Sequence, residues 1–319
     1  MPKRAPTSIT RKYLPDRKCK KSIKYDTNWN NMPMEMKAMI MKNMDVVTRS
    51  RLKLCSKSDK CLVEAFPMTV SKLEAGPPSN ENPAFAPKRC LNIDDVEISQ
   101  SSNSVCISGT EYEWGKEEEA VRMIERYFYG ILLIKNIRIG AFSTSWSLNE
   151  TSIPTEHMLH VGSVKFFNQD GKECVKWLKH VAAGVKDIVI KTENDIRGIG
   201  VIPCVLQTKS LYVRNSDIND EQLLALQATS IKLYRPDVTF VGFRNLVKKW
   251  IDENYPVGSH LSLFFKRLPS IAVEQIFEGF DFVRNKPEIK TIKIGANKVM
   301  HFDVHFGGFY IEGEIMNRK

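Results

Sequence analysis

Two histidines four residues apart, His301 and His305, have a type and spacing that could hold a metal ion. On a helix they would share a face and could ligate together. The run MHFDVHF instead alternates Phe302, Val304 and Phe306 with His301, Asp303 and His305, which is the period of a strand. At ~3.3 Å per residue the two imidazoles then stand about 13 Å apart, too far to share one ion. A solvated or cleft-facing strand surface is expected there. His157 and His160 have no third ligand at a suitable spacing. The seven cysteines, at 19, 55, 61, 90, 106, 174 and 204, contain no C-x-x-C pair. Their odd number and irregular spacing fit neither a disulfide frame nor a zinc ribbon, so reduced thiols serving as small hydrophobes are expected. Gly198-Ile199-Gly200 lacks the third glycine of a dinucleotide loop, and neither G-x-x-x-x-G-K-[ST] nor G-x-S-x-G occurs. These residues give no positive reason to expect an enzyme, a metal or a cofactor.

Charge is the next candidate for chemistry. The chain has 319 residues, 42% of them hydrophobic, and a net charge of +10. Much of the excess lies in the tail MPKRAPTSITRKYLPDRKCKK, which can meet phosphate nonspecifically, serve as a nuclear address, or simply be solvated. The rest is nearly balanced and has no RNA-stacking motif, so nucleic acid is not the expected partner. No run of about 18 apolar residues predicts a membrane span, and the tail has no apolar core of a secretory signal. A cytoplasmic or nuclear location follows as an expectation.

The elements that would position any site alternate along the chain. Pro77, Pro78, Pro83 and Pro87 exclude regular helix and central strand, which predicts a linker over 71–90 and a larger domain over 91–319. Short alternating strands are predicted at Ile137–Ile139, Val164–Phe166, Ile188–Ile190, Leu211–Val213, Ile231–Leu233, Leu261–Leu263 and Ile292–Ile294. Between them Glu117–Glu119 opens a helix bearing Val121, Ile124 and Phe128. Asp170 to Glu173 forms a capping-box pattern ahead of Cys174, Leu178 and Val181. Thr239 caps a stripe of Phe243, Leu246, Val247, Trp250 and Ile251. Strand starts are 27, 24, 23, 20, 30 and 31 residues apart, close to the ~20–29 of leucine-rich repeats, although their consensus is missing. The expected fold class is α+β, with repeated strand–helix units forming a degenerate solenoid-like layer. An ordinary α/β or α+β domain with one mixed sheet is the alternative. A hairpin over Val299–Ile315, around Gly307-Gly308, could cap the sheet.

Residues 27–70 pack three helical signals into a short stretch, behind a basic tail at 1–26. Pro33 suits a first helical turn, and Met36, Ile40 and Met44 form one stripe. Asp45 can cap a second helix with Val47 and Leu54, and Ser58 a third with Cys61, Leu62, Ala65 and Phe66. The order Met32-Pro33-Met34-Glu35, then Ile40 and Met44, then Arg49 to Leu54, then Cys55 to Ser58, resembles the F-box in its nematode-expanded form. Trp29 stands where those versions carry a tryptophan. Methionine replaces leucine at several positions, a volume-conserving change, and the tryptophan near the end of many F-boxes is absent. The region from about residue 90 resembles the F-box-associated, or FTH, domain, most closely over Val247–Asn254 and Val257–Ser259, where Trp250 also reads as plain helix core.

The resemblance implies a non-catalytic substrate receptor of an SCF-type (Skp–cullin–F-box) ubiquitin ligase. The Skp adaptor and cullin scaffold would be partners, along with a protein target of unknown identity. It implies an adaptor contact through Met32, Pro33, Met36, Ile40, Met44, Leu52 and Leu54. The exposed positions between apolar strand residues, Arg138, Lys165, Tyr212, Lys232 and Ser262, are the expected target contacts. Two other classes remain open: an adaptor-bound scaffold without ubiquitination, and a nucleic-acid-associated protein acting through its basic tail.

Overall fold

The computed structural model describes residues 29, 32–53, 55–76, 89–101, 103–134, 136–148, 153–167, 169–265, 275–294, 296–305 and 310–318. Leu54, the prolines of the expected linker and Gly307-Gly308 lie outside them. The chain divides into two compact units, Met1–Met44 and Asp45–Lys319. In the first, α1 (Met34–Asn43) begins directly after Pro33, whose carbonyl accepts from Lys37 N at 3.0 Å.

The second unit opens with α2 (Val46–Lys53) and α3 (Lys57–Ala65). Asp45 caps α2, accepting from Thr48 N and Thr48 Oγ1, each at 2.7 Å. Ser56 rather than Ser58 caps α3, because its hydroxyl is the one that reaches an orphan amide, Asp59 N, at 3.0 Å. Leu62 is buried as the expected stripe has it, but Val63 is its buried companion and Cys61 and Ala65 are exposed, which corrects the stripe.

The fold is mixed α+β, dominated by one fifteen-stranded sheet. Its first strand, β1 (Met68–Gly76), follows α3 at once, so residues 71–76 are strand where a linker is expected. On one side β1 opens an antiparallel meander of β2 (Arg89–Ile93), β3 (Val96–Ser101), β4 (Ser104–Ile107) and β5 (Thr110–Glu113). After α4 (Glu117–Leu132), β6 (Ile137–Thr144) pairs in parallel with the other side of β1. Then β7 (His160–Phe167), β8 (Asp187–Lys191), β9 (Ser210–Arg214), β10 (Ser230–Tyr234) and β11 (His260–Phe264) add in chain order, each parallel to the last. The connections carry α5 (Gly171–Lys179), α6 (Pro203–Leu206), α7 (Asp220–Ala225) and α8 (Phe240–Asp252). Four antiparallel strands finish the sheet: β12 (Phe282–Asn285), β13 (Ile289–Ile294), β14 (Lys298–His305) and β15 (Tyr310–Asn317). The β14–β15 hairpin is inserted between β11 and β13 and does not cap the sheet, since β15 pairs with β11 and β14 with β13. The edge strands β5 and β12 have four residues each, a length that limits edge-to-edge pairing. Among the described residues no helix is long and apolar enough to cross a membrane.

Strand alternation builds the core. Ile188, Ile190, Leu211, Val213, Ile231, Leu233, Leu261 and Leu263 are buried, and Trp177, Leu178, Leu223, Phe243, Leu246 and Trp250 from the helices join the same cluster. Across β1, β6 and β7 the buried positions are three apart at one point, as in Val70/Leu73, Ile139/Phe142 and Val161/Val164, so the strands share a stacked irregularity. Glycine permits it: a Cβ on Gly162 would lie 2.5 Å from the Gly140 carbonyl oxygen, and one on Gly140 would lie 2.6 Å from that of Ser71.

At the strand ends a second device holds the stack. Trp146, Gln169, Thr192 and Asn215 are each 23 residues apart. Gln169 Nε2 donates to Trp146 O, Thr192 Oγ1 to Gln169 O at 2.6 Å, and Asn215 Nδ2 to Thr192 O at 3.3 Å. Buried carbonyls that leave the sheet therefore find partners from the next unit.

Candidate protein-interaction surfaces

The strand side chains that do not enter the core form rows across the parallel strands. One row runs Lys165, Val189, Tyr212, Lys232, Ser262 and Glu312, each registered with the next. Four of the five expected target-facing residues thus stand together, although their sequence positions span about a hundred residues. Arg138 is exposed on β6 but is registered with His160, five positions before Ser143, which is the partner of Lys165. The stacked irregularity keeps it on this face but at another level. Ser262 corrects the expectation differently. It is fully buried, with its hydroxyl donating to Tyr310 Oη at 3.3 Å, because a short side chain between larger cross-strand neighbours is covered by them.

The adjoining row was missed from sequence, although continuing each alternation by two residues finds it. Tyr234 stacks on Phe264 with centroids 4.0 Å apart and planes 9° apart. Phe264 stacks on Tyr310 at 4.0 Å and 20°, and His305 on Tyr310 at 5.3 Å and 18°. Tyr212 leans on Tyr234 at 5.5 Å. Lysines join these rings. Lys191 Nζ lies 5.8 Å from the Phe167 ring centroid and 5.7 Å from that of Tyr212. Lys232 Nζ lies 5.9, 5.7 and 6.0 Å from Tyr212, Tyr234 and Phe264. Cross-strand packing of this kind gives the face a fixed shape.

Charge divides the face. From β7 to β10 it carries Lys165, Lys191, Arg214 and Lys232 against Asp187, and the β11–β15–β14 end carries Glu312, Glu314 and Asp303 with His260, His301 and His305. Two carboxylates of the acidic end have partners within it, and Lys232 across β11 also acts on Glu312. His260 Nε2 lies 2.6 Å from Glu312 Oε1, Tyr310 Oη donates to the other Glu312 oxygen, and His301 Nε2 lies 3.4 Å from Asp303. Tyr310's bond holds the Glu312 carboxyl below its ordinary pKa, with His260 adding to it against a desolvation penalty. Burial, and then that same bond, push Tyr310 up to about 12. Burial first, then the Tyr234 hydroxyl, also raises Tyr212 despite the two lysines. His301 and His305 sit on one strand, as their alternation predicts; His301 also meets Thr291 Oγ1 at 3.1 Å. His157 and His160 do different things: His157 Nε2 meets Leu132 O at 2.6 Å, and His160 is exposed at the start of β7.

Of the expected adaptor residues, Met36 and Ile40 lie on α1, Met32, Pro33 and Met44 flank it, Leu52 lies on α2, and Leu54 is outside the described residues. Pro33 and Met36 are exposed, while Met32, Ile40, Met44 and Leu52 are half-buried. On α1 it is Met41 that is fully buried, so Met36 belongs to an exposed group with Met34 and Met39, at 52%, 58% and 65% exposure. Those two were not singled out from sequence, because a stripe of fourth residues does not say which side of a helix remains uncovered. Unbranched methionines at a surface are adaptable apolar contacts. Lys37 Nζ lies 5.7 Å from the Trp29 ring centroid.

No curated protein and no solved structure matches the chain. The F-box domain family model does match, over residues 29–70, about an eighth of the sequence, covering α1, α2, α3 and the first residues of β1. F-box domains in general bind the Skp adaptor within SCF-type ubiquitin ligases and are not themselves catalytic, and it is such a domain that residues 29–70 form.

Proposed function

We propose that this chain is a substrate receptor of an SCF-type ubiquitin ligase, working in the cytoplasm or nucleus. Its F-box docks on the Skp adaptor and through it on the cullin scaffold, and the sheet-bearing region holds a protein target. The observation that carries this reading is the F-box at residues 29–70 running straight into a sheet with a continuous, laterally packed row of side chains on the face away from the core. The region beyond the F-box is read as an FTH-type domain of the nematode-expanded family, and its parallel strand–helix succession as a degenerate leucine-rich-repeat-like layer. Parallel strands added in chain order offer one extended surface of this type. The contribution to ubiquitination is effective concentration: a lysine of a held target meets the conjugating enzyme far more often than that of a free one. Adaptor contact is assigned to Pro33, Met36 and Ile40, with Met32, Met44, Leu52 and Leu54 in support.

The test is capture of purified adaptor and cullin by the full-length chain and by its Pro33→Glu/Ile40→Lys variant. Capture by the wild type and its loss in the variant, with the thermal transition of the sheet unchanged, is the expected result. Equal capture of the adaptor by both proteins would overturn the assignment.

A further inference from the structure

Resting on that reading, we propose that the target segment held by the sheet face is an extended acidic peptide, rich in Asp and Glu, lying across β7 to β10. Cations on these strands come from every strand in turn: Lys165 on β7, Lys191 on β8, Arg214 on β9 and Lys232 on β10. Among the described residues none of the four forms an ion pair. With strands ~4.8 Å apart, the charges are spread over about 14 Å. Asp187 is the acidic residue on this part of the face, so the local excess is positive.

The rings sharpen the choice of partner. Tyr234, Phe264, Tyr310 and His305 stack face to face along the sheet, and lysines lie over Phe167, Tyr212 and Tyr234. Phe264 and Tyr310 each stack between two neighbouring rings, which leaves their faces little room for nucleobases. The Lys232 ammonium stands nearly equidistant from the stacked Tyr234 and Phe264 rings, beside their edges, the electropositive part of the aromatic quadrupole. That combination attracts anions. A single phosphate calls for donors converging on one point, commonly an arginine fork; here point charges are distributed over two neighbouring rows, Lys165 and Lys232 in one and Lys191 and Arg214 in the next. Carboxylates distributed along an extended segment crossing the four strands can meet cations from both rows. At the acidic end Glu312, Glu314 and Asp303 repel such a segment, which fixes where it stops.

The test uses the full-length chain and a fluorescein-labelled peptide of about ten residues alternating Glu and Ser, long enough to span the four strands. Its comparators are the same peptide with Gln for Glu, the Gln peptide carrying one phosphoserine, and oligothymidine. Fluorescence anisotropy should show the Glu peptide bound best, weakening as salt rises. The Lys165→Gln/Lys191→Gln/Lys232→Gln variant should lose about tenfold in affinity, as expected for three modest ion pairs. If the triple variant melts early, Lys165→Gln/Lys191→Gln, which changes only exposed side chains, tests the same point through a smaller loss. The proposal is overturned if the Gln peptide binds as well, if phosphoserine or oligothymidine binds more tightly, or if the variants keep full affinity. Adaptor capture is measured in parallel. Wild-type protein that fails to capture the adaptor would sink the receptor reading alone, while anisotropy still judges the acidic-segment surface.

Discussion

Asn215 is the position at which one substitution most directly probes how the parallel strands and their open face are held. It follows β9 with φ at +58°, a conformation that asparagine tolerates and most residues do not. Its Nδ2 donates to Thr192 O at 3.3 Å and to Glu193 O at 3.0 Å, and its backbone N–H donates to Tyr234 O at 2.8 Å. Asn215→Ala keeps the backbone bond and loses the two side-chain bonds, each worth about 1 kcal/mol net. It also places a β-carbon without compensation in the left-handed region, adding about 1 kcal/mol. The expected loss is about 3 kcal/mol. Asn215→Gly relieves the backbone and should lose about 2 kcal/mol, so the gap between the two variants isolates the conformational part. For a unit of this size about 3 kcal/mol lowers the transition by about 6–12 °C. Thermal unfolding of the full chain followed by tryptophan fluorescence reads this directly, since Trp146 and Trp177 lie beside the same ladder, where Trp177 Nε1 donates to Trp146 O at 3.0 Å. A shift under about 1 °C for Asn215→Ala would refute the claim that the polar ladder supports the parallel strands.

Two further outcomes follow from the same geometry. Gly162→Ala should destabilise the sheet by about 2–4 kcal/mol, since its β-carbon would fall 2.5 Å from a backbone oxygen that cannot swing away; a near-normal denaturant midpoint would show that the three bulged strands separate easily. The Glu312 carboxyl has a lowered pKa in the fold, so its contribution to stability is complete above the ordinary carboxylate pKa of about 4.3 and is lost as pH falls through the lowered value. Melting temperature should therefore fall more steeply below that range for the wild type than for Glu312→Gln, and parallel acid limbs would contradict the Tyr310–Glu312–His260 assignment.

Much of the local structure follows from the sequence alone. Ile-Lys-Leu and Leu-Tyr-Val are strands because a period of two puts apolar residues on one face, and all seven such segments are strands. Asp170, Thr239 and Asp45 cap helices because their side chains accept from the next amides, and Thr239 reaches Gly242 N at 3.3 Å as its position predicts. The F-box order was equally legible, since it is a succession of residue types along a short stretch.

Which of these elements meet is settled only when the whole chain packs. Hydrogen bonding across strands is nonlocal, so nothing within MTVSKLEAG says that it is the first strand of the sheet and pairs with β6 some seventy residues later. Register put Lys165, Tyr212 and Lys232 in one row and left Arg138 at another level, because a bulge shifts position without changing composition. Burial of Ser262 depends on the size of neighbours from other strands. The ring stack of Tyr234, Phe264, Tyr310 and His305 takes its residues from four strands, including two added in antiparallel from the far end of the chain. Alternation fixes which face a side chain takes, whereas pairing fixes its neighbours, and the chemistry of this surface lies in the neighbours.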